Sequence, residues 1–244
     1  MQVRGTHNSY QPPLPPLERQ LDEGIRQLEL DVWSQPDGSF AVYHSANDRR
    51  STCPTLVACL QPVRAWLGAH RQALPLYLVV ENKGAPQDAG AVAVAVQAAL
   101  PGHLLVGPKE VAGGRWPTLA GTRGRVIAVL IGNGAEQYTG GSMFVYASSG
   151  PLAAITSRPD PLSQAADIAA FVHAGLVVRT QADGDGVVLD EKRRDAAAAS
   201  GAQIVSARDD GYLLPGGVSW RCDPLVPSPC RPRDMEPTTT TTTS

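Results

Sequence analysis

The sequence predicts an α/β fold, a distorted closed barrel of eight strands with intervening helices. Three observations point there. The chain has 244 residues, long for an average domain but ordinary for one barrel. Short, nearly continuous apolar runs recur along it, as strands buried on both faces require. Between them lie stretches whose apolar residues follow helical spacing. A hydrophobic fraction of 43% is enough for a sizeable core.

Taken in order, the predicted strands are 2–5, 27–33, 40–43, 76–81, 125–131, 143–146, 176–179 and 203–206. The first is short and follows Met1. The second, QLELDVW, alternates leucine and valine with carboxylates. The third ends at His44. The fourth, LYLVVE, and the fifth, RVIAVLI, are the most apolar. Helical spacing marks 56–70, the alanine- and valine-rich 88–100, 161–174 and 190–200. Only Gln35-Pro36-Asp37-Gly38, a turn signal, joins strands two and three, so strict alternation of strand and helix breaks there. Residues 107–124 and 132–142 are rich in Gly and Pro and read as loops. The pattern weakens from Pro215, and EPTTTTTTS reads as a disordered tail. There is no internal repeat. The expected organisation is one catalytic barrel, of the TIM (β/α)8 type, over 1–232, followed by a Thr-rich tail over 233–244.

Composition narrows the function. The net charge is −2 and the pI near 6.2. No basic stripe interleaved with aromatics points to nucleic acid, and no polybasic patch to anionic lipid. The four cysteines form two close pairs, Cys53/Cys59 and Cys222/Cys230. Four cysteines allow three pairings, and local pairing closes a short loop in each case. Zinc is the rival, but neither pair has C-x-x-C spacing or an adjacent histidine. Two local disulfides imply an oxidising compartment, hence a secreted protein. These residues contain neither a signal peptide nor a transmembrane run, so a leader is expected upstream of Met1.

The chemistry-bearing residues fall at the ends of successive strands. His7 and Asn8 end the first. Glu29 and Asp31, two apart in the second, point to one face, while Leu28, Leu30 and Val32 make the other face apolar. His44 ends the third. Glu81 and Lys83 end the fourth, in LVVENKG. Barrel enzymes keep their active sites at these C-terminal strand ends. Three carboxylates and one amide carbonyl are hard oxygen donors, suited to calcium, with magnesium as the alternative, and poorly suited to zinc. Two histidines beside such a set suit acid–base work on a phosphodiester, and Lys83 suits a phosphate oxygen.

GTHNSY, LELDVW, VYH and VVENK together resemble the catalytic X region of phosphatidylinositol-specific phospholipase C, most closely the calcium-dependent type. WPTLAGTRGRVIAVL, VVRTQAD and SGAQIVS are similar to secreted bacterial members. The resemblance covers about residues 2–230. It implies a distorted barrel of the PLC-like phosphodiesterase type and calcium-dependent cleavage of a phosphoinositide to diacylglycerol and an inositol phosphate. His7 and His44 match the two catalytic histidines, and Asn8, Glu29, Asp31 and Glu81 the calcium ligands. In that mechanism the inositol 2-hydroxyl attacks phosphorus to give a cyclic phosphate. One histidine stabilises the phosphorane, His44 protonates the departing glycerol oxygen, and Glu29 takes the hydroxyl proton. No basic residues match those that hold ring 4- and 5-phosphates in the eukaryotic enzymes, so plain phosphatidylinositol is the expected substrate. ARDDGY stands where Thr-Asp-Tyr is expected, leaving Asp209 and Tyr212 as lesser candidates.

Blander readings compete. A lone histidine is usually a structural cap, and Glu81 with Lys83 can be a strand-end ion pair. Arg179, at a strand end, either binds inositol or phosphate or pairs with Asp183 or Asp185. His70, His103 and His173 read as structural, and Trp33 and Trp116 as packing, with Trp33 a candidate to line the pocket. No G-x-S-x-G nucleophile is present. Two other functions stay open. A glycerophosphodiester phosphodiesterase shares Glu-x-Asp, two histidines and a divalent cation, but its first histidine is typically followed by Arg-Gly, not Asn8-Ser9. A binding module for a lipid headgroup would not turn substrate over. The expected partner is a phospholipid at a membrane surface, met by a monomer.

Overall fold

The computed structural model describes residues 1–184 and 190–225. Its elements are β1 Gln2–Thr6, α1 Leu17–Asp22, β2 Gln27–Ser34, β3 Phe40–Val42, α2 Leu56–Ala69, β4 Leu76–Asn82, α3 Ala89–Ala99, α4 Leu119–Thr122, β5 Val126–Gly132, β6 Phe144–Val145, β7 Ile155–Ser157, α5 Ala165–His173, β8 Val177–Gln181, α6 Glu191–Ala199, β9 Ile204–Ala207 and β10 Trp220–Arg221. Eight strands pair in parallel in the order β6-β5-β4-β2-β1-β9-β8-β7. A parallel bridge between Tyr146 and Ile155 joins the two ends and closes the barrel.

The predicted third strand is not one of the eight. β3 pairs antiparallel with β2, Val32 opposite Val42 and Ser34 opposite Phe40. The reason is the length of the connection: a turn of a few residues closes a hairpin, whereas a parallel crossover needs a dozen or more. Gly38 takes φ +80°, and the Ser39 N–H donates to Asp37 Oδ1 at 2.9 Å. The eighth place falls to β7, whose three residues, Ile-Thr-Ser, are too short to show as an apolar run. α1, α4 and β10 are likewise too short to leave a periodic pattern, and the loop expected over 107–124 contains α4 and a 3-10 turn, Pro108–Gly114. Cys230 and the tail from 233 lie outside the described residues.

Strand alternation divides the core into two layers. Leu28, Leu30 and Val32 of β2 and Leu76, Leu78 and Val80 of β4 face outward and pack with Leu60, Val63, Val92 and Val96 of α2 and α3. Val3, Tyr77, Val79, Ile127, Val129, Val177 and Ile204 fill the interior. α2 begins at Thr55, whose side chain accepts from the Ala58 N–H at 3.2 Å. The Cys53–Cys59 disulfide closes across that start, as the sequence predicts. Cys222 is also disulfide-bonded. Among the described residues no helix is long and apolar enough to cross a membrane.

Candidate active site at the C-terminal end of the barrel

Above the apolar filling, the same inward positions become polar. β2 continues inward as Glu29 and Asp31, β4 as Glu81, β8 as Arg179 and β9 as Ser206. Parallel register sets Asp31 beside Glu81. One carboxylate oxygen each from Glu29, Asp31 and Glu81 lies within 4.8 Å of the others. The predicted carboxylates therefore converge, and they face the barrel interior as their alternation with leucine implied.

His7 and Asn8 enter from β1. The His7 N–H donates to Ala207 O at 2.8 Å, so the histidine sits where β1 leaves β9. Asn8 is buried with φ +53°, a left-handed conformation that asparagine tolerates better than most residues. This turn aims its amide at the second histidine, with Nδ2 3.4 Å from His44 Nδ1. His44 Nδ1 is also 3.2 Å from Asp31 Oδ2. The imidazole side chain is 38% exposed while Asp31 is 1% exposed, so a buried carboxylate orients a ring whose other nitrogen is open. Trp33, two residues after Asp31 on β2, stacks on Tyr43 with ring centroids 5.2 Å apart and donates its indole N–H to Tyr43 O at 2.9 Å.

The charges are closely coupled. Burial, then Glu81 and Glu29, push Asp31 up to about 6, against the opposing pull of Lys83 and His44. Asp31 Oδ1 is buried and meets no hydrogen-bond donor in good geometry among the described residues, although the Tyr10 phenol interacts with this carboxylate. Lys83 Nζ lies 2.9 Å from Glu81 Oε1 and 3.6 Å from Asp31 Oδ2. Burial works against its charge, but the two carboxylates outweigh it and hold the ammonium above its ordinary range. Arg179 pairs with Glu29 rather than with Asp183, its η-nitrogen 2.5 Å from Glu29 Oε2 and its Nε 3.2 Å from Ser206 Oγ. Both members of the pair are 4% exposed, so the ion pair is buried in the barrel.

Several supporting residues had no role assigned from sequence. Ser9 Oγ accepts from the Glu29 N–H at 2.7 Å and donates to Thr6 O, stitching the His7–Asn8 turn to β2. The Gln20 amide donates to Ser9 O and Pro15 O, behind that turn. Tyr10 is fully buried, its phenol pKa raised by burial and by Asp31. Asn82 donates to Ala85 O and Asn133 O and fixes the backbone that carries Lys83. Ser9 and Tyr10 stand in GTHNSY and Asn82 in VVENK, so their signal was position within a motif. Gln20 had none. Tyr212 is structural: it is buried and its hydroxyl meets Val205 O and Gly5. Asp209 accepts from the Gly211 N–H within its own turn. A cavity of about 490 Å³ opens elsewhere, over β6, and none of the site residues lines it.

Residues 9–130 match the model of the phosphatidylinositol-specific phospholipase C X domain, and residues 108–213 that of the calcium-dependent phosphoinositide phospholipase C. The first match begins just after His7 and Asn8. No curated protein sequence matches the chain. Among solved structures, the chain is similar to a calcium-dependent phosphoinositol-specific phospholipase C from Pseudomonas sp., at 20% identity and TM-score 0.69, covering 89% of this chain and 92% of that one. A calcium-dependent enzyme from Streptomyces antibioticus gives 20% identity and TM-score 0.62, covering 86% and 93%. A phosphatidylinositol-specific phospholipase C from Staphylococcus aureus gives 12% and 0.57, covering 89% of each. At these identities the structures speak to the fold, a distorted TIM barrel, while the X-domain model spans half the chain. With the carboxylates, histidines and barrel end already placed, the chain belongs to the phosphatidylinositol-specific phospholipase C family of phosphoric diester hydrolases.

Proposed function

We propose that the protein cleaves phosphatidylinositol to diacylglycerol and a cyclic inositol phosphate by acid–base catalysis at His7 and His44. The observation that carries this is the convergence of Glu29, Asp31 and Glu81 beside His44, with Asn8 reaching the same imidazole. Asp31 Oδ1, buried among crowded carboxylates with no well-placed donor among the described residues, suits a hard dication. Asn8, Glu29, Asp31 and Glu81 would hold calcium, or magnesium in its place. Bound there, the ion supplies positive charge to the phosphoryl oxygen and the attacking hydroxyl.

The chain's own residues do the rest. Glu29, fixed by Arg179 and Ser9, accepts the proton of the inositol 2-hydroxyl. That oxygen attacks phosphorus, and the glycerol oxygen departs with a proton from His44, whose ring Asp31 orients. His7, on the β1 side, stabilises charge on the phosphoryl group. Lys83 holds a phosphate oxygen as a point charge, and Arg179 meets the headgroup from the barrel interior. No residues match those that hold ring 4- and 5-phosphates in the eukaryotic enzymes, which favours the unphosphorylated inositol ring. The Cys53–Cys59 disulfide supports a secreted protein, which on this reading would act as a peripheral monomer on lipid surfaces.

Phosphorus NMR of phosphatidylinositol micelles, with calcium and then with excess chelator, tests this. Calcium-dependent appearance of a cyclic inositol phosphate is expected. Release of glycerol 3-phosphate from glycerophosphoinositol, with phosphatidylinositol untouched, would instead favour the glycerophosphodiester phosphodiesterase. Calcium-stimulated binding without product would favour the binding module.

A further inference from the structure

The opposite end of the barrel carries a concentration of positive charge that the reaction does not use. The connection from α2 to β4 and that from α3 to β5 both feed the N-terminal ends of strands. They therefore lie a strand's length from His7, His44 and Glu81, on the order of 20 Å. Between them is a cleft of about 380 Å³ lined by Arg64, Arg71, Arg123, Arg125 and His103, together with leucines and glycines. No carboxylate lines it among the described residues.

The cleft is built. Arg64, Gly68 and Arg71 fall four and three residues apart, on one face of α2 and its exit. The Gly124 N–H donates to Ala73 O at 2.9 Å, and the Arg123 guanidinium donates to Gln72 O at 2.7 Å, so the two loops are bonded together. Gly124 has φ +63°, and a Cβ there would lie 2.8 Å from Arg71 O. Only glycine allows that approach. Arg125 is neutralised by Glu110, through two contacts of 2.7 and 2.9 Å. Arg64 and Arg71 are exposed and have no carboxylate partner among the described residues. The end of α2 contributes partial negative charge, which draws arginines to this place but does not cancel two full charges.

We infer that this cleft is a second binding site, for a small soluble phosphate-bearing compound with at least two negative charges. Arginine forks match phosphate oxygens bidentately, and the volume exceeds what a single water or chloride needs. The charge could meet a phosphate on a free molecule or on a lipid headgroup. With the catalytic mouth turned to lipid, as the proposed function has it, this end faces water, so the ligand is the free one.

The test is titration calorimetry of the full chain with pyrophosphate in chelator, at low and at physiological salt. One pyrophosphate is expected to bind in the cleft. The double variant Arg64→Ala/Arg71→Ala and, separately, Gly68→Glu should each weaken it by about tenfold or more. Gly68 has open space around a new Cβ, so Gly68→Glu tests the charge without disturbing the fold. Both variants should keep wild-type melting and wild-type turnover of phosphatidylinositol. Equal pyrophosphate affinity in the variants, or no binding at all, overturns the site, whatever the outcome of the lipase assay. Retention on phosphatidylglycerol vesicles that depends on Arg64 and Arg71, with pyrophosphate affinity unmoved, overturns the soluble ligand in favour of a headgroup.

Discussion

In the proposed mechanism His7 and His44 divide the work at the level of single residues. The His44 ring is tied to a buried carboxylate, Asp31, at 3.2 Å. His7→Ala and His44→Ala should each lower turnover of phosphatidylinositol by roughly 10²–10⁴-fold, with the far-ultraviolet circular dichroism and melting unchanged. Near-wild-type rates in either variant would remove that residue from the chemistry. Arg179 and Glu29 make the opposite case, because their pairing is structural before it is functional. Arg179→Met leaves the Glu29 carboxylate buried and alone, and should cost about 3–5 kcal/mol in urea unfolding. Adding Glu29→Gln should recover much of that loss. If the single variant is as stable as the parent, the pair contributes little.

Elements set how firmly those residues are held. β5 ends at Gly132 with φ +85°, where a Cβ would lie 2.4 Å from Asn82 O and 2.9 Å from Glu81 Cγ. Gly132→Ala must therefore displace the end of β4 that carries Glu81. It should lower both melting temperature and calcium affinity, the latter read by calorimetry; an unchanged calcium affinity would show that the strand end gives way without moving Glu81. The start of α2 depends on the Cys53–Cys59 bridge as well as on the Thr55 cap. Closing so short a loop contributes about 2 kcal/mol on the chain-entropy view. Reduction, or Cys53→Ser with Cys59→Ser, should lower stability by that order in denaturant unfolding.

The whole molecule balances the carboxylate layer against its fold. Asp31 shifts from 3.8 to about 6 on folding. A carboxyl that holds its proton more tightly when folded stabilises the fold below about pH 4, and that contribution is lost as pH rises through 6. In chelator the loss should be on the order of 3 kcal/mol, and Asp31→Asn should flatten it. Calcium should raise the melting temperature more at pH 7 than at pH 5, because it relieves the same crowding; equal shifts at both values would contradict a site at Asp31. Much of this was legible in the chain itself. The alternation of Glu29 and Asp31 with leucines gave both the inward face and the donor set, since a period of two is a local property. The motifs carrying His7, Asn8, His44 and Glu81 were read from their spacing along strands. What only the tertiary structure decided were relations between distant segments. β3 left the barrel for a hairpin and β7 took its place, because closure depends on pairing partners and not on the apolarity of a three-residue run. Arg179 found Glu29 instead of its neighbour Asp183, because register across β8, β9, β1 and β2, not distance along the chain, decides which charges meet in a barrel.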